Sequence, residues 1–523
     1  MRRVLPDLAF AVLAVAFAIA CARFVWQPTL ATFADDSVSY LVMAQAFSPY
    51  QAASAAVVEA FPREAFYPPL FPLVLALAGA AHDIAWAHAA TALMLAAALP
   101  FVYLLGARWL GGRGAALAAV ACIALLPSLW INAKGILSEP LLCLLLAATC
   151  WVLERNEGGP GAPWATAALM VAMALTRTAA LPMIGAYALW SLARRGRPLA
   201  ARLRGMAPAL AALAAYGLWV LLRPSMTEDD YARILLERGQ GLFDGRTGFL
   251  TALGMSIARQ SHAIVEGWAG SLLLFWVEGQ PARLALASLV GILSLAGLAL
   301  RFVRGKADGW MLAAYLATLL AWPFYEQMER FLFPALPVLV LYAFYAAGEA
   351  MRAMSRRPAL AHALVAGLML TLAVPAMAFI RQRAQAPGPV TRITDWYRTP
   401  DLERARSRAQ THLDLFDDMQ AIRSLTQPGD RVMWVVPSYI ALLADRRALP
   451  APDAGLAIGA YREAVRKSGA DYVFLSRYHP RDTIRDTAWQ SGVRALAGVG
   501  KAVHTSARSE GGEVTSILLR IAK

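Results

Sequence analysis

Two adjacent carboxylates, Asp35 and Asp36, are the residues whose types and spacing best suit chemistry, and they follow a long apolar run. The sequence predicts a short helix directly after them, over Ser37–Phe47. A carboxylate held at such a point can act as a general base. The structural alternative is capping, because an Asp before a helix stabilises its N-terminus and complements its dipole. Repulsion between the two neighbours is expected to raise the pKa of one of them.

Three further charged residues are predicted at ends of apolar helices that lie on the same side as Asp35 and Asp36. Glu139, in Ser138-Glu139-Pro140, opens one such helix, where a carboxylate is costly unless it faces a cavity. Arg177 and Arg330 lie in a tight turn and at the start of a late helix. Two guanidinium groups at one membrane level can hold a phosphate, whereas the structural alternative is contact with lipid headgroups.

Other signatures of catalytic sites do not occur in the sequence. It contains no Walker A loop, no GxGxxG and no HExxH, and its seven His have no ligand spacing. The four Cys lie within apolar runs, which predicts buried thiols rather than a disulfide or a zinc site. The sequence therefore requires no cofactor. It leaves open a divalent metal ion held by Asp35, Asp36 and Glu139.

The composition identifies the kind of scaffold that positions these residues. Hydrophobic residues make up 59% of the 523 residues and charged residues 16%, whereas soluble domains are close to 25% charged. The mean hydropathy of +0.49 agrees with this bias. The fold class is therefore an α-helical polytopic membrane protein, and a soluble protein is excluded.

Eleven apolar runs are long enough to predict transmembrane helices, and charge orients them. With Arg2 and Arg3 inside, the predicted cytoplasmic segments hold sixteen basic and four acidic residues. Acidic residues prevail in the predicted outer loops, so the net charge of +14 needs no nucleic acid as partner. The predicted spans are 5–26, 84–107, 114–131, 138–153, 162–176, 179–193, 205–222, 282–300, 309–324, 331–350 and 359–380.

The odd number of spans divides the chain into two predicted domains. Residues 1–380 form a membrane module with long outer loops at 27–83 and 223–281, and residues 381–523 form an extracytoplasmic α/β domain. The second loop contains two short apolar stretches, Phe249–Ile257 and Ile264–Trp276, which predict amphipathic helices on the membrane surface. Predicted strands of the C-terminal domain are Arg431–Val436, Asp471–Leu475, Lys501–Thr505 and Val514–Ile521.

The order of the motifs resembles a known superfamily of membrane enzymes. An acidic pair followed by Tyr40, then Tyr67-Pro68-Pro69-Leu70, Ser138-Glu139-Pro140, Arg177, and Arg330 separated by three residues from Pro334 resemble the GT-C glycosyltransferases. The protein O-mannosyltransferase and lipid A aminoarabinose transferase group is the most similar. Many of these relatives have Asp-Glu where this chain has Asp35-Asp36, so the resemblance does not decide which carboxylate is the base.

The resemblance implies a sugar transfer at the outer face of the inner (plasma) membrane. The donor would be a polyprenyl-phosphate-linked sugar, and the acceptor a glycan, lipid or protein attacked with inversion at the anomeric carbon. Because Asp36 is predicted just outside the first helix, where a lipid-borne sugar and an acceptor would meet, we expect it to be the catalytic base, with Asp35 orienting it or sharing a metal ion. The expected substrate-binding residues are Arg330, Arg177, Glu139, Tyr40, Tyr67 and Lys134.

Two other functions compete with this interpretation. A lipid or solute transporter or flippase would carry charges in the middle of its helices and internal repeats, whereas nearly all charges here lie at helix ends. A non-catalytic envelope assembly protein would use its outer domain for binding and would tolerate substitutions at Asp35 and Asp36.

Overall fold

The computed structural model describes residues 4–32, 35–156, 163–194, 196–224, 249–275, 281–322, 325–477, 485–507 and 514–521. Most of these residues are helical, and a small sheet lies near the C-terminus.

Each of the eleven apolar runs predicted from hydropathy is helical in the structure. The corresponding helices are Val4–Val25, Ile84–Trp109, Arg113–Ala124 with Pro127–Ala133, Glu139–Asn156, Pro163–Ala174, Leu181–Ala193, Ala207–Leu222, Pro281–Val303, Ala307–Leu320, Met328–Leu332 with Leu336–Ala353, and Pro358–Ala384. The remaining helices are shorter or more polar: Asp35–Phe47, Ala55–Glu64, Leu70–Leu77, Leu199–Gly205, Phe249–Leu273, Asp395–Arg398, Leu402–Leu425, Pro437–Tyr439, Ile458–Ser468 and Arg485–Leu496.

Length and apolar composition qualify six helical segments of the described residues as membrane spans. A seventh is the pair Arg113–Ala124 and Pro127–Ala133, which is bent by 53° where Pro127 interrupts the hydrogen bonding. These segments make the chain a multi-pass membrane protein. The count of eleven crossings stays a prediction, because several of the predicted spans are short helices. The six segments are Val4–Val25, Ile84–Trp109, Leu199–Leu222, Pro281–Val303, Met328–Ala353 and Pro358–Ala384.

The second long loop differs from its prediction. The stretch Phe249–Ile257 and the first part of Ile264–Trp276 belong to one helix, Phe249–Leu273, because no Gly or Pro interrupts the six residues between them. Trp276 lies outside the described residues. Its second half packs against the bundle rather than lying free on the surface. Trp268 and Leu272 are buried, and the Trp268 indole donates a hydrogen bond to the Ala287 carbonyl at 2.9 Å.

The C-terminal sheet contains the strands β1 Arg431–Trp434, β2 Arg447–Pro450, β3 Tyr472–Ser476, β4 Gly500–Ala507 and β5 Val514–Ile521. Their spatial order is β2-β1-β3-β5-β4, with β1 parallel to β2 and β3, and β5 antiparallel to β3 and β4. Sequence analysis predicted four of these strands. It missed β2, which has only four residues and ends in a Pro that a strand accepts only at an edge.

The loop 27–83 and the C-terminal region share one hydrophobic core. Buried side chains of the loop, such as Tyr40 and Phe71, belong to the same cluster as Trp396 and Trp434. A backbone hydrogen bond of 2.7 Å from Thr394 to Ala31 joins the two regions directly. The loop therefore packs partly against residues far away in the chain.

Candidate active site

Arg330 joins two carboxylates from distant parts of the chain. Asp36 lies in the first turn of Asp35–Phe47, and Glu139 is the first residue of Glu139–Asn156. One terminal nitrogen of the Arg330 guanidinium bonds Asp36 Oδ2, while its Nε bonds Glu139 Oε1. Because both nitrogens lie on one edge of a planar group, the two carboxylates are held side by side.

Arg177 adds a second guanidinium to Glu139. Its Nη1 lies 2.9 Å from Glu139 Oε1 and 2.9 Å from Ser138 Oγ. Only 1% of the Glu139 side chain is exposed, whereas Arg177 and Arg330 keep 12% and 13%. Glu139 Oε2 is buried and has no hydrogen-bond partner among the described residues. The cluster therefore presents two cations toward a partly open surface, with a carboxylate buried beneath them.

Two tyrosines complete the surroundings of Asp36. The Tyr67 hydroxyl donates to Asp36 Oδ1 at 2.5 Å, and Tyr40 shares a 2.8 Å hydrogen bond with Ser138 Oγ. The two rings lie 5.0 Å apart between centroids. The structure thus brings together Asp36 and the five predicted binding residues Arg330, Arg177, Glu139, Tyr40 and Tyr67.

The Tyr-Pro-Pro segment is held in place by neighbouring elements. The Trp219 indole donates to the Tyr67 carbonyl at 3.1 Å. The Leu70 amide, directly after the two prolines, donates to the Leu175 carbonyl at 2.8 Å. This last bond ties the segment to the turn that carries Arg177, so Tyr67 and Arg177 are positioned together.

The backbone beside Arg330 packs closely on the helix Phe249–Leu273. Gly267 of that helix lies so near that a Cβ there would be 2.8 Å from the Glu329 nitrogen. The Tyr315 hydroxyl donates to the Phe331 carbonyl at 2.5 Å. Contacts on both sides therefore fix the short helix Met328–Leu332 that carries Arg330.

The electrostatics of Asp36 differ from the sequence-based prediction. Burial acts to raise the pKa of this carboxyl, but the charge of Arg330 and the hydrogen bonds from Tyr67 and Arg330 outweigh it. The pKa of Asp36 is therefore below its ordinary value of 3.8. Repulsion between the two neighbours is expected to raise the pKa of one of them; that residue is not Asp36, because the adjacent cation dominates, and the side chain of Asp35 lies outside the described residues. Asp36 is also the second residue of its helix rather than the residue before it, so it is not an N-cap.

Glu64 is a polar residue of the site region that sequence analysis missed. Ser39 and Ser438 donate hydrogen bonds to its two carboxylate oxygens, and only 7% of the residue is exposed. Burial raises the pKa of Glu64 despite both hydrogen bonds, and the negative charge of Asp36 adds to the rise. In the sequence, Arg63-Glu64 is typical of an exposed charged pair, so no local signal distinguishes Glu64.

Two predicted residues are not shown to take part in this cluster. Lys134 is buried elsewhere, with its ammonium 3.2 Å from Gln27 Oε1 and 3.4 Å from the Phe24 carbonyl. Asp35 begins the helix Asp35–Phe47, but its side chain lies outside the described residues.

The metal alternative does not fit the residues that the structure describes. Asp36 and Glu139, two of its three proposed ligands, already share the guanidinium of Arg330. Within the described ranges, no group of three or more His, Cys, Asp or Glu side chains is arranged to hold a metal ion.

The sequence matches no protein-family profile and no curated protein. The structure, however, resembles solved proteins along almost the whole chain. A crystal structure of ArnT from Cupriavidus metallidurans bound to undecaprenyl phosphate matches with a TM-score of 0.53 at 13% identity, over 97% of each chain. The apo form of the same protein gives a TM-score of 0.51 at 12% identity, over 98% of each chain.

The protein has the GT-C fold. The fold that the resemblance of the ordered motifs implied is thus confirmed. A third match, the oligosaccharyltransferase from Archaeoglobus fulgidus in complex with Zn and sulfate, has 14% identity and a TM-score of 0.47, and covers 98% of this chain and 75% of that one.

Proposed function

We propose that this GT-C protein is a membrane glycosyltransferase that moves a sugar from a polyprenyl-phosphate donor to a hydroxyl or amine acceptor outside the cytoplasm. The observation that carries the proposal is the arrangement of Asp36, Arg330 and Arg177, which places one base beside two cations in a partly exposed cluster. Undecaprenyl phosphate, the ligand named for ArnT from Cupriavidus metallidurans, belongs to the proposed donor class. The acceptor is a glycan, lipid or protein.

The proposed reaction is a single displacement. Asp36 accepts the proton of the acceptor while its oxygen or nitrogen attacks the anomeric carbon from the face opposite the phosphate. The bond between that carbon and the phosphate oxygen breaks, and the polyprenyl phosphate leaves with the electron pair. Arg330 and Arg177 stabilise its charge through charge-assisted hydrogen bonds. Because there is one displacement, the configuration of the anomeric carbon is inverted.

The ion pair between Arg330 and Asp36 links donor binding to the strength of the base. In the structure, Arg330 lowers the pKa of Asp36, so the carboxylate is ionised but weakly basic. A donor phosphate that engages Arg330 shares its charge and weakens this ion pair. The pKa of Asp36 then rises toward the range in which a general base is more effective.

The remaining residues take positioning roles in this proposal. Tyr67 orients Asp36 through its hydrogen bond, and Glu139 holds both guanidinium groups. Tyr40 supports Ser138, which contacts Arg177. Asp35, the neighbour of Asp36, is proposed to assist it.

The test is transfer activity of the purified protein in liposomes, with a panel of radiolabelled polyprenyl-phosphate sugars. Asp36→Asn should reduce the rate by roughly 10²–10⁴, the usual contribution of a general base. Asp83→Asn is the matched control, because Asp83 lies in the same loop and only caps the helix Ile84–Trp109. Near-full activity in both Asp36→Asn and Asp35→Asn would exclude these carboxylates as the base. Absence of transfer from every donor would leave a transporter or assembly protein as the better account.

A further inference from the structure

A cavity separate from the Asp36 cluster lies beside the end of the first helix. Its volume is about 350 Å³, and it is formed by the C-terminal end of Val4–Val25, by Lys134 and by the segment that follows Pro358–Ala384. Three of its lining residues are cations, namely Arg23, Lys134 and Arg392, and none is an Asp or Glu. The cavity is therefore strongly basic.

Lys134 is buried without a countercharge. Only 1% of the residue is exposed, and its ammonium contacts neutral groups: Gln27 Oε1 at 3.2 Å, the Phe24 carbonyl at 3.4 Å, and the rings of Phe24 and Tyr397 with centroids at 4.7 and 5.3 Å. Within the described part of the chain, Lys134 forms no ion pair. Burial lowers the pKa of Lys134 to about 7, because an unpaired ammonium is unfavourable there, and a bound anion would favour the charged form by supplying the missing countercharge.

The other two cations of the cavity are also available to an anion. Across the described ranges, neither Arg23 nor Arg392 forms an ion pair, and Arg23 is exposed. Trp26 also lines the cavity and is 57% exposed. An exposed Trp beside basic residues at the end of an apolar helix is typical of the boundary between membrane and water. This setting is the one expected for a cavity at the depth of lipid headgroups.

We propose that this cavity binds the phosphate of a lipid headgroup, at a site distinct from the one that holds the donor. Lys134 provides a buried point charge, and Arg23 and Arg392 provide the forked donors that suit phosphate oxygens. Phe24, Trp26 and Tyr397 offer apolar surface to the adjoining glycerol and acyl groups. The proposal goes beyond the proposed transfer reaction and does not depend on it.

The test is direct binding to the purified full-length protein in a neutral detergent, measured by native mass spectrometry and calorimetry. The probes are short-chain phosphatidylglycerol, the matching phosphatidylcholine and inorganic phosphate. We expect phosphatidylglycerol to bind with at least tenfold higher affinity than phosphatidylcholine. Inorganic phosphate that binds as tightly as phosphatidylglycerol would overturn the lipid part of the proposal and assign the site to free phosphate.

Substitutions of cavity residues test whether phosphatidylglycerol binds in this cavity. Lys134→Met and Arg392→Gln should each weaken phosphatidylglycerol binding by about 10- to 100-fold, the loss expected for one hydrogen bond to a charged group. Arg381→Gln is the control. Arg381 is exposed near the C-terminal end of Pro358–Ala384, close in sequence to Arg392, but does not line the cavity. Equal losses in Arg392→Gln and Arg381→Gln would indicate general charge attraction and overturn the proposal.

The same experiment distinguishes loss of lipid binding in the cavity from misfolding of a variant and from lipid binding at the donor site. Arg392 is only half-buried, so Arg392→Gln keeps the test open if Lys134→Met fails to fold. Arg330→Ala, which tests the proposed donor site, should leave phosphatidylglycerol binding unchanged. Loss of that binding in Arg330→Ala but not in Arg392→Gln would place the lipid at the Asp36 cluster and overturn the separate site.

Discussion

The guanidinium of Arg330 combines two properties that matter for its proposed role. It binds two carboxylates, and it remains partly exposed. Arg330 holds Asp36 and Glu139 at once and still keeps 13% of the side chain exposed. Hydrogen bonds to two carboxylates use much of the donor capacity of the guanidinium. The exposed part of the side chain nevertheless leaves Arg330 accessible to a ligand. A phosphate that binds there must therefore compete with Asp36, which is the more exposed of the two carboxylates at 21%.

The first prediction concerns the shape of this cation. Arg330→Lys should weaken the binding of a polyprenyl phosphate by roughly 10- to 100-fold, because an ammonium is a point charge and cannot reproduce the planar fork. Scintillation binding with a radiolabelled polyprenyl phosphate measures the loss. Arg381→Lys, an exposed site outside the cluster, serves as control. Unchanged affinity in both Arg330→Ala and Arg177→Ala would refute the phosphate-binding role.

The second prediction concerns pH and Glu64. Burial raises the pKa of Glu64 in the folded state above its ordinary value of 4.5. Its contribution to stability is therefore full below about pH 4.5 and is lost as the pH rises through the folded pKa. Glu64→Gln removes this ionisation while its amide can still bond Ser39 and Ser438. The melting temperature of Glu64→Gln relative to wild type should thus be higher at pH 8 than at pH 5.

A matched variant on the same helix controls this pH experiment. Glu59 lies on Ala55–Glu64 and pairs with Arg447 at the surface, where 37% of its side chain is exposed. Glu59→Gln should leave the pH dependence of the melting temperature close to that of wild type. A parallel pH profile in wild type and Glu64→Gln would contradict the assignment of a raised pKa.

At the scale of elements, the helix Phe249–Leu273 supports the Asp36 cluster, although none of its described side chains belongs to that cluster. Gly267 allows its backbone to approach Met328 and Glu329, directly before Arg330. The added Cβ of Gly267→Ala would lie 2.8 Å from the Glu329 nitrogen and 2.9 Å from the Met328 carbonyl carbon. Since these are backbone atoms, the helix Met328–Leu332 must shift.

The third prediction follows from this contact. Gly267→Ala should reduce transfer by about 100-fold, because a displacement of about 1 Å in a positioning element has an effect of that size. Gly254→Ala on the same helix is the control, since a Cβ there would meet nothing within 4 Å. Its transfer rate should stay at the wild-type level. Equal rates for the two variants would show that the close contact does not position Arg330.

The sequence predicted the helices and strands better than it predicted the contacts between them. Each apolar run became a helix because hydropathy is a local property, and the strand β3 was recognisable from its consecutive apolar residues. The bond between Arg330 and Asp36 joins residues 294 positions apart, and no local pattern encodes such a pairing. The family resemblance indicated both residues as functional, but only the structure shows that they bind each other. Glu64 was missed because its partner Ser438 comes from the C-terminal region.

At the scale of the whole molecule, the contacts agree with the predicted division between two membrane faces. Residues predicted inside bind one another, as in the pairs of Arg301 with Glu154 and with Asp308. Residues predicted outside form the cluster of Asp36, Arg330 and their neighbours. Which of these ends faces the cytoplasm stays a prediction, based on the excess of Lys and Arg.

The fourth prediction tests this orientation. The reporter is a phosphatase that is active only outside the cytoplasm. Fused after Lys523 it should be active, because residues 381–523 are predicted to be extracytoplasmic. The same reporter placed after Arg357, between Leu336–Ala353 and Pro358–Ala384, should be inactive. Cytoplasmic behaviour of the fusion at Lys523 would overturn the odd number of spans and the proposed side of the site.

The core shared by the loop 27–83 and the C-terminal region has a consequence for synthesis on the ribosome. The C-terminal partners of this loop, which begin near Ile393, are translated roughly 300 residues after it. At about 5–20 residues per second, the nascent loop waits on the order of 15–60 s before it can pack with Trp396 and Trp434. During that interval its apolar surface depends on the translocation machinery for protection. Protease should therefore cut this loop in nascent chains stalled before Ile393 and spare it once the sheet has been completed.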